Sequence, residues 1–256
     1  MPKLKIFLDE KVAQYNQRTF ISGDPVSIPH KFSIKADIEI SGFLTALISW
    51  GRRDMIIQSA NYLMELMDNN PFEFIINASK SDLKRLSLFY YRTFKADDLL
   101  FLIEALRIVY TEHGGLEQIT RDGFDKNGKV KDSIIHIRKV LLQSPHLVRS
   151  EKHLANLEKG SAAKRINMFL RWMVRNDKNG VDFGLWKSIP PSALLCPLDV
   201  HSGRTARKLG LLLRKQNDWK AVEELTSNLR LLDPDDPVKY DYALFGIGVF
   251  ENNLKS

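Results

Sequence analysis

The feature that most constrains the fold is a helical spacing of apolar residues that recurs along the chain. In DIEISGFLTALISWG (37–51) the apolar residues fall at i, i+3, i+4, i+7 and i+8, namely Ile40, Phe43, Leu44, Leu47 and Ile48. A second segment repeats the pattern with Ile56, Ala60, Leu63, Met64 and Met67. We find no convincing run in which apolar and polar residues alternate, as they do in β-strands. The pattern predicts an all-α protein, built as two helical lobes with a cleft between them.

Further helical segments and the breaks between them predict the organisation of the chain. The segments lie at about 81–90, 96–112, 130–143, 151–157, 163–175, 200–215, 218–230 and 237–252. Glycine, proline and polar residues interrupt the periodicity at 22–30, 120–130 and 176–184. We therefore predict an N-terminal helix and linker at 1–34 and one main domain at 35–256, long enough to bury a substantial core.

Composition limits the classes of function. The chain has 256 residues and a formal net charge of +7, which favours a polyanionic partner. The single Cys196 excludes an internal disulfide and a cysteine-rich zinc or iron–sulfur site. The apolar runs are too short to span a bilayer, and the N-terminus does not resemble a signal peptide. We expect no membrane partner, no metal, no cofactor, and a cytoplasmic location.

A basic helix is predicted in GSAAKRINMFLRWMVR (160–175). Four polar residues fall on one narrow face at offsets 0, 3, 7 and 11, namely Lys164, Asn167, Arg171 and Arg175. This face is typical of a solvated surface helix, and it also suits a nucleic-acid backbone. Gly160 and Ser161 precede the helix, and a glycine turn at a helix N-terminus favours a bound anion such as phosphate.

The segment CPLDVHSGRTARKLGLL (196–212) places Asp199 ahead of a second basic helix. Taken alone, Asp199 is predicted to cap that helix, although a carboxylate there also suits catalysis. Asp199 and His201 form a possible metal-ligand pair, but two ligands without a third are weak support for a metal. Arg204, Arg207 and Lys208 give the helix its basic side.

These two segments resemble the helix–hairpin–helix DNA glycosylase superfamily, which includes endonuclease III and the 8-oxoguanine glycosylases. GSAAK (160–164) resembles the end of the family's hairpin, and PLDVHSGRTARKLGL (197–211) resembles the segment with its essential aspartate. Weaker similarity extends over roughly 35–250, closest to an uncharacterised bacterial branch. Asp199 follows Lys164 by 199 − 164 = 35 positions, an interval nearer to that of the archaeal 8-oxoguanine glycosylases than to that of endonuclease III.

The resemblance implies a helix–hairpin–helix element and a function in base-excision repair. Lys164 and Asp199 would then be the catalytic residues of a DNA glycosylase, with AP lyase activity in a bifunctional member. The expected substrate is an oxidised purine or another damaged base, flipped out of duplex DNA by a nucleoid-associated monomer. Backbone contacts are expected from Gly160, Ser161, Arg165, Arg171, Arg204 and Arg207. Base stacking or pocket roles are expected of Trp50, Phe183, Trp186 and His201, while core packing is favoured for Trp172.

Three other functions remain compatible with the sequence. The same fold would serve a non-catalytic DNA-binding protein, whose affinity depends on salt and which forms no product. An RNA-binding or RNA-processing protein would prefer structured RNA. A helical protein–protein adaptor would carry the same basic residues as scattered surface charge.

Overall fold

The computed structural model describes residues 2–251, and its secondary structure is helical. Within that range, β-structure is limited to three isolated bridges. The all-α prediction is confirmed. The helices are α1 Pro2–Tyr15, α2 Arg18–Ile21, α3 Lys35–Ile48, α4 Arg53–Leu66, α5 Pro71–Asn77, α6 Lys80–Arg85, α7 Ala96–Glu112, α8 Leu116–Phe124, α9 Val130–Leu141, α10 Lys164–Val174, α11 Val200–Lys208, α12 Trp219–Arg230 and α13 Tyr240–Gly246. A π-helical turn, Ile247–Glu251, follows α13. None of these helices is long and apolar enough to cross a membrane.

The chain divides into two compact units. Residues 21–155 form the central unit, which contains α3 to α9. Residues 2–20 and 156–251 form the terminal unit, which contains α1 and α10 to α13.

The core of the central unit is built around α3, which is buried on all sides from Asp37 to Ile48. Its two buried carboxylates have partners. Glu39 accepts a hydrogen bond from the Tyr110 hydroxyl at 2.7 Å, and Asp37 accepts one from the backbone N–H of Phe72 at 2.8 Å. The second bond satisfies an N–H in the first turn of α5, which would otherwise lack a partner. Buried polar groups therefore fix how α3 meets α5 and α7.

Helix α8 lies partly in a segment where the sequence predicts a break. Gly123, within that segment, lies inside α8, and the backbone of α9 packs directly against it. A Cβ atom at Gly123 would lie 2.5 Å from the Cα of Ser133. The chain turns instead at Gly128, whose φ of +66° favours glycine. Glycine here permits close helix packing.

Helix α11 is shorter than predicted, because it ends at Lys208 rather than near 215. Gly210 adopts a φ of +70°, and the N–H of Leu211 donates to the carbonyl of Ala206 at 2.9 Å. This is the usual way in which a glycine terminates a helix. Leu211 and Leu212 then turn into the core of the terminal unit, where both are buried.

Candidate functional site

The N-termini of α10 and α11 bring Lys164 and Asp199 together. Lys164 is the first residue of α10, and Asp199 immediately precedes α11. The Lys164 Nζ lies 3.9 Å from the Asp199 Oδ2, and the two side chains are 29% and 23% exposed. Residues 35 positions apart thus form an amine–carboxylate pair that is partly shielded from water but still accessible.

The two carboxylate oxygens of Asp199 have different environments. Oδ1 accepts hydrogen bonds from the backbone N–H groups of His201 at 2.8 Å and Ser202 at 2.9 Å. The Ser202 hydroxyl accepts one in return from the Asp199 N–H at 2.9 Å, which completes a capping box. The predicted helix cap is therefore confirmed. Capping occupies Oδ1, while Oδ2 faces Lys164.

A tight turn leads into α10. Gly160 is exposed with a φ of +78°, and Ala163 adopts the left-handed conformation directly before the helix. The Gly160 carbonyl accepts a hydrogen bond from the Trp219 N–H at 3.2 Å, and the Ser161 Oγ accepts one from the Ala163 N–H at 3.2 Å. Ala163 has no side chain that could cap the helix. No side chain among the described residues caps α10, and a helix N-terminus of this kind attracts anions.

Arg165 lies in this first turn and is half-buried. Burial lowers the pKa of its guanidinium to about 10, a value at which the group stays charged at neutral pH. A phosphate beside a partly desolvated cation interacts more strongly than one beside a fully hydrated cation. Arg165 is thus well suited to the backbone contact that the sequence predicts for it.

The predicted backbone contact of Arg171 is wrong, and so is the solvated face on which it was placed. Asn167, Arg171 and Arg175 are buried, with exposures of 1–4%. The Arg171 guanidinium pairs with Asp182 and Asp241, and that of Arg175 pairs with Asp177, Asp182 and Asp236. Carboxylates from the 176–184 loop and from the region of α13 cover this face, since a buried charge requires partners.

Asp241 links this buried cluster to the surface pair. Burial raises the pKa of Asp241 to about 6, a shift that Arg171 opposes. The charge of Asp199 adds to the increase in this pKa, and the charge of Lys164 opposes it. The charges of both members of the pair therefore act on Asp241.

A basic surface pocket of about 540 Å³ lies on α11, next to Asp199. It contains four cationic side chains, those of Arg204, Arg207, Lys208 and Lys215. The Arg207 Nη2 donates to the Asn217 Oδ1 at 2.6 Å, and the Asn217 Nδ2 donates to the Asp199 carbonyl at 3.1 Å. Hydrogen bonds thus connect the pocket to the backbone of Asp199. The sequence did not indicate Lys215 and Asn217, because it predicted that α11 continues to about 215. In the structure α11 ends at Lys208, and the segment after it reaches the pocket.

The aromatic candidates occupy different environments. Trp172 is fully buried, as predicted. The stacking role predicted for Trp186 is wrong, because its indole is 1% exposed and packs edge-on against Phe169 at 5.4 Å. Phe183 is half-buried and His201 exposed in the terminal unit, and their predicted roles stay predictions.

Trp50 belongs to the central unit, where it is half-buried. Its ring stacks on His153 at 6.0 Å and meets Tyr91 edge-on at 5.3 Å. Its predicted stacking on a base stays a prediction.

Cys196, three positions before Asp199, is fully buried, and burial raises the pKa of its thiol well above the ordinary value. Such a thiol is chemically inert. In the part of the chain that the structure describes, no group of three or more His, Cys, Asp and Glu side chains is arranged to hold a metal ion. The chemically distinctive feature is therefore the pair formed by Lys164 and Asp199.

The fold and site thus define an all-α protein with an amine–carboxylate pair at two helix N-termini beside a basic pocket. Residues 24–250 match the family model described as "Protein of unknown function (DUF2400)", and the chain belongs to that family. No curated protein and no solved structure matches it. The predicted membership of the helix–hairpin–helix glycosylase superfamily is therefore wrong, since the matching family is a different one.

Proposed function

We propose that this protein is a DNA-repair enzyme that removes a damaged base from duplex DNA, with Lys164 and Asp199 as its catalytic residues. The observation that carries the proposal is the 3.9 Å separation of the Lys164 Nζ and the Asp199 Oδ2, with Asp199 held in place through its other oxygen. The proposal depends on this geometry and not on family membership.

The surroundings of the pair support a nucleic-acid substrate. The turn at Gly160–Ser161, the N-terminus of α10 and Arg165 would hold one phosphate. The basic pocket containing Arg204 and Arg207 would hold another part of the backbone. Such contacts position the nucleic acid without reading its sequence, and the net charge of +7 is consistent with them.

The chemistry requires the target nucleotide outside the base stack, because its glycosidic bond is inaccessible in a duplex. Asp199 would take a proton from the Lys164 amine, which then forms a bond to the sugar C1′ while the bond from C1′ to the base breaks, and Asp199 would pass that proton to the departing base. Transfer of a further N–H proton to the ring oxygen, as the bond from C1′ to that oxygen breaks, opens the sugar and gives a protonated Schiff base from which the strand can be cleaved. The Asp199 carboxylate would also stabilise positive charge on the sugar.

An excision assay tests the proposal. Labelled duplexes, each carrying one oxidised, alkylated or deaminated base or an abasic site, are incubated with the protein. Products are resolved with and without alkali, which separates base removal from strand cleavage. We expect product from at least one lesion, an oxidised purine first. Lys164→Gln should abolish strand cleavage, whereas Lys159→Gln, at an exposed lysine five positions earlier, should not.

The contrary outcomes distinguish the alternatives. Salt-dependent DNA binding without product from any lesion would refute catalysis and leave a DNA-binding protein. Stronger binding of structured RNA than of duplex DNA would indicate an RNA-directed role. Absence of nucleic-acid binding at low salt would leave a protein–protein adaptor.

A further inference from the structure

A surface pocket of about 460 Å³ in the central unit combines aromatic side chains with two arginines. Tyr90, Leu88 and Tyr62 line it and are 79%, 63% and 40% exposed. Arg52 and Arg92 also line it, and both are exposed. Large exposed apolar groups gathered in one place usually mark a binding surface. Neither arginine takes part in the site at Lys164 and Asp199.

Buried aromatic rings support the Tyr62 side of the pocket. The Tyr62 ring stacks on Phe89 with a centroid distance of 6.4 Å and an angle of 23°. Phe89 is 1% exposed and meets the equally buried Phe94 edge-on at 6.0 Å. Buried rings therefore hold Tyr62 in place, and little side-chain freedom remains to be lost when a ligand stacks there.

The backbone of the pocket is shaped to present Arg92. Tyr91 and Phe94 exchange two backbone hydrogen bonds of 2.8 Å, and Arg92 lies inside this turn with a φ of +55°. A left-handed arginine is uncommon, and such backbone strain is found most often at functional sites. A Cβ atom at Gly51 would collide with the Arg92 Nη1, so Gly51 leaves room for the guanidinium.

Hydrogen bonds and charge fix the rim of the pocket. The Tyr91 hydroxyl donates to the Trp50 carbonyl at 2.6 Å. Burial raises the pKa of Tyr91, and the adjacent charge of Arg92 opposes that shift. Arg52 pairs with Asp54 at 2.5 Å, but both side chains are more than half exposed, and a pair in water gives way readily to a phosphate.

We propose that this pocket binds one unpaired nucleotide of a single-stranded nucleic acid. Its base would stack on Tyr90 and Tyr62, and its phosphate would lie between Arg92 and Arg52. Aromatic rings accept any base, and arginine is well suited to phosphate. The pocket volume lies within the range of about 300–1,000 Å³ found for ligand sites. Its exposed walls favour a strand passing over the surface, because free small molecules are usually bound in more enclosed sites.

Fluorescence anisotropy with a labelled oligothymidylate of about eight nucleotides tests the proposal. Tyr90→Ala should weaken binding about tenfold or more, whereas Tyr90→Phe, which keeps the ring, should bind like the wild type. Arg92→Gly should lower the slope of log Kd against log salt by about 0.7. It should not impair folding, because glycine adopts the φ of +55° without strain.

Controls separate this site from the proposed chemistry. Val148→Ala, at a residue that is 82% exposed and outside the pocket, should leave the affinity unchanged. Lys159→Gln, at an exposed lysine outside the pocket, should also leave it unchanged. The probe carries no damaged base, so the result does not depend on base excision. Wild-type affinity in both Tyr90→Ala and Arg92→Gly would overturn the site. If thymidine monophosphate displaces the probe at the same concentration of nucleotides, the pocket binds a free nucleotide rather than a strand, and the proposal is overturned.

Discussion

Replacing Asp199 with Asn separates the helix-capping role of this side chain from its proposed chemistry. Asn keeps an oxygen that can accept the bonds now made by Oδ1 to the N–H groups of His201 and Ser202. Asn and Asp are about equally good N-caps, so the capping contribution should change by less than about 0.5 kcal/mol. Ala removes the cap and should cost about 1 kcal/mol more than Asn.

The ion pair with Lys164 is lost in both variants and does not disturb the comparison. At 3.9 Å and about one-quarter exposure it contributes at most about 1 kcal/mol. Activity should behave differently from stability. Both variants remove the carboxylate charge, and loss of a general acid–base group lowers the rate by about 100-fold to 10,000-fold.

The assay is urea denaturation paired with single-turnover base excision on the same preparations. Asp218→Asn is a matched control, because Asp218 caps α12 in the same extended conformation and pairs with Arg214 rather than with Lys164. It should leave excision unchanged. An Asp199→Asn variant that excises at the wild-type rate would refute the catalytic role. One that is as unstable as Asp199→Ala and inactive would indicate a structural role only.

Three further predictions concern the charged and packed residues around the site. The wild type should become more stable relative to Asp241→Asn as the pH falls from about 6 to 3.8. Because the pKa of Asp241 is about two units higher in the folded than in the unfolded protein, the wild type should gain about 3 kcal/mol of unfolding free energy relative to the variant. Urea denaturation across this pH range measures the difference. Arg171→Ala should lower the free energy of unfolding by about 3–5 kcal/mol, because it leaves buried carboxylates unpaired. Arg204→Ala, at an exposed residue, should leave the stability unchanged. It should lower the slope of log Kd against log salt for duplex binding by about 0.9. Gly123→Ala should cost about 1–3 kcal/mol in urea denaturation, since the added Cβ meets α9.

Each of these predictions has a contrary result. A stability difference between wild type and Asp241→Asn that does not change between pH 6 and 3.8 would contradict the raised pKa. Equal stability of Arg171→Ala and Arg204→Ala would contradict the buried cluster. A Gly123→Ala variant as stable as the wild type would show that α8 and α9 can separate without cost.

Apolar periodicity was sufficient to predict most helices, because a buried stripe imposes its spacing on the sequence. It did not predict the helix boundaries near two glycines that have different structural roles. Gly123 permits close packing inside α8, whereas Gly210 ends α11, and only the tertiary neighbours of each residue distinguish the two. The predicted end of α11 near 215 overlooked the left-handed conformation that Gly210 supplies.

Side-chain environments were harder to predict than helices. The polar face of α10 suggested exposure, but Arg171 and Arg175 are buried against Asp182, Asp236 and Asp241, whose positions depend on the path of the 176–184 loop and on α13. The capping role of Asp199 follows from its local position and is confirmed. The exposed tyrosine pocket was not predicted, because its residues come from the region of α4 and from the 88–92 segment, and only the tertiary fold brings the two together.

In the proposed reaction, the Lys164 amine forms a covalent bond to the sugar of the DNA. Borohydride reduction during incubation with lesion-containing duplex, followed by proteolysis and mass spectrometry, measures this directly, since a Schiff base is converted to a stable covalent bond. We expect a trapped complex whose cross-linked peptide carries the sugar on Lys164. The complex should be absent in Lys164→Gln and present in Lys159→Gln. A cross-link on another residue, or no trapping from any lesion including an abasic site, would contradict the proposed reaction.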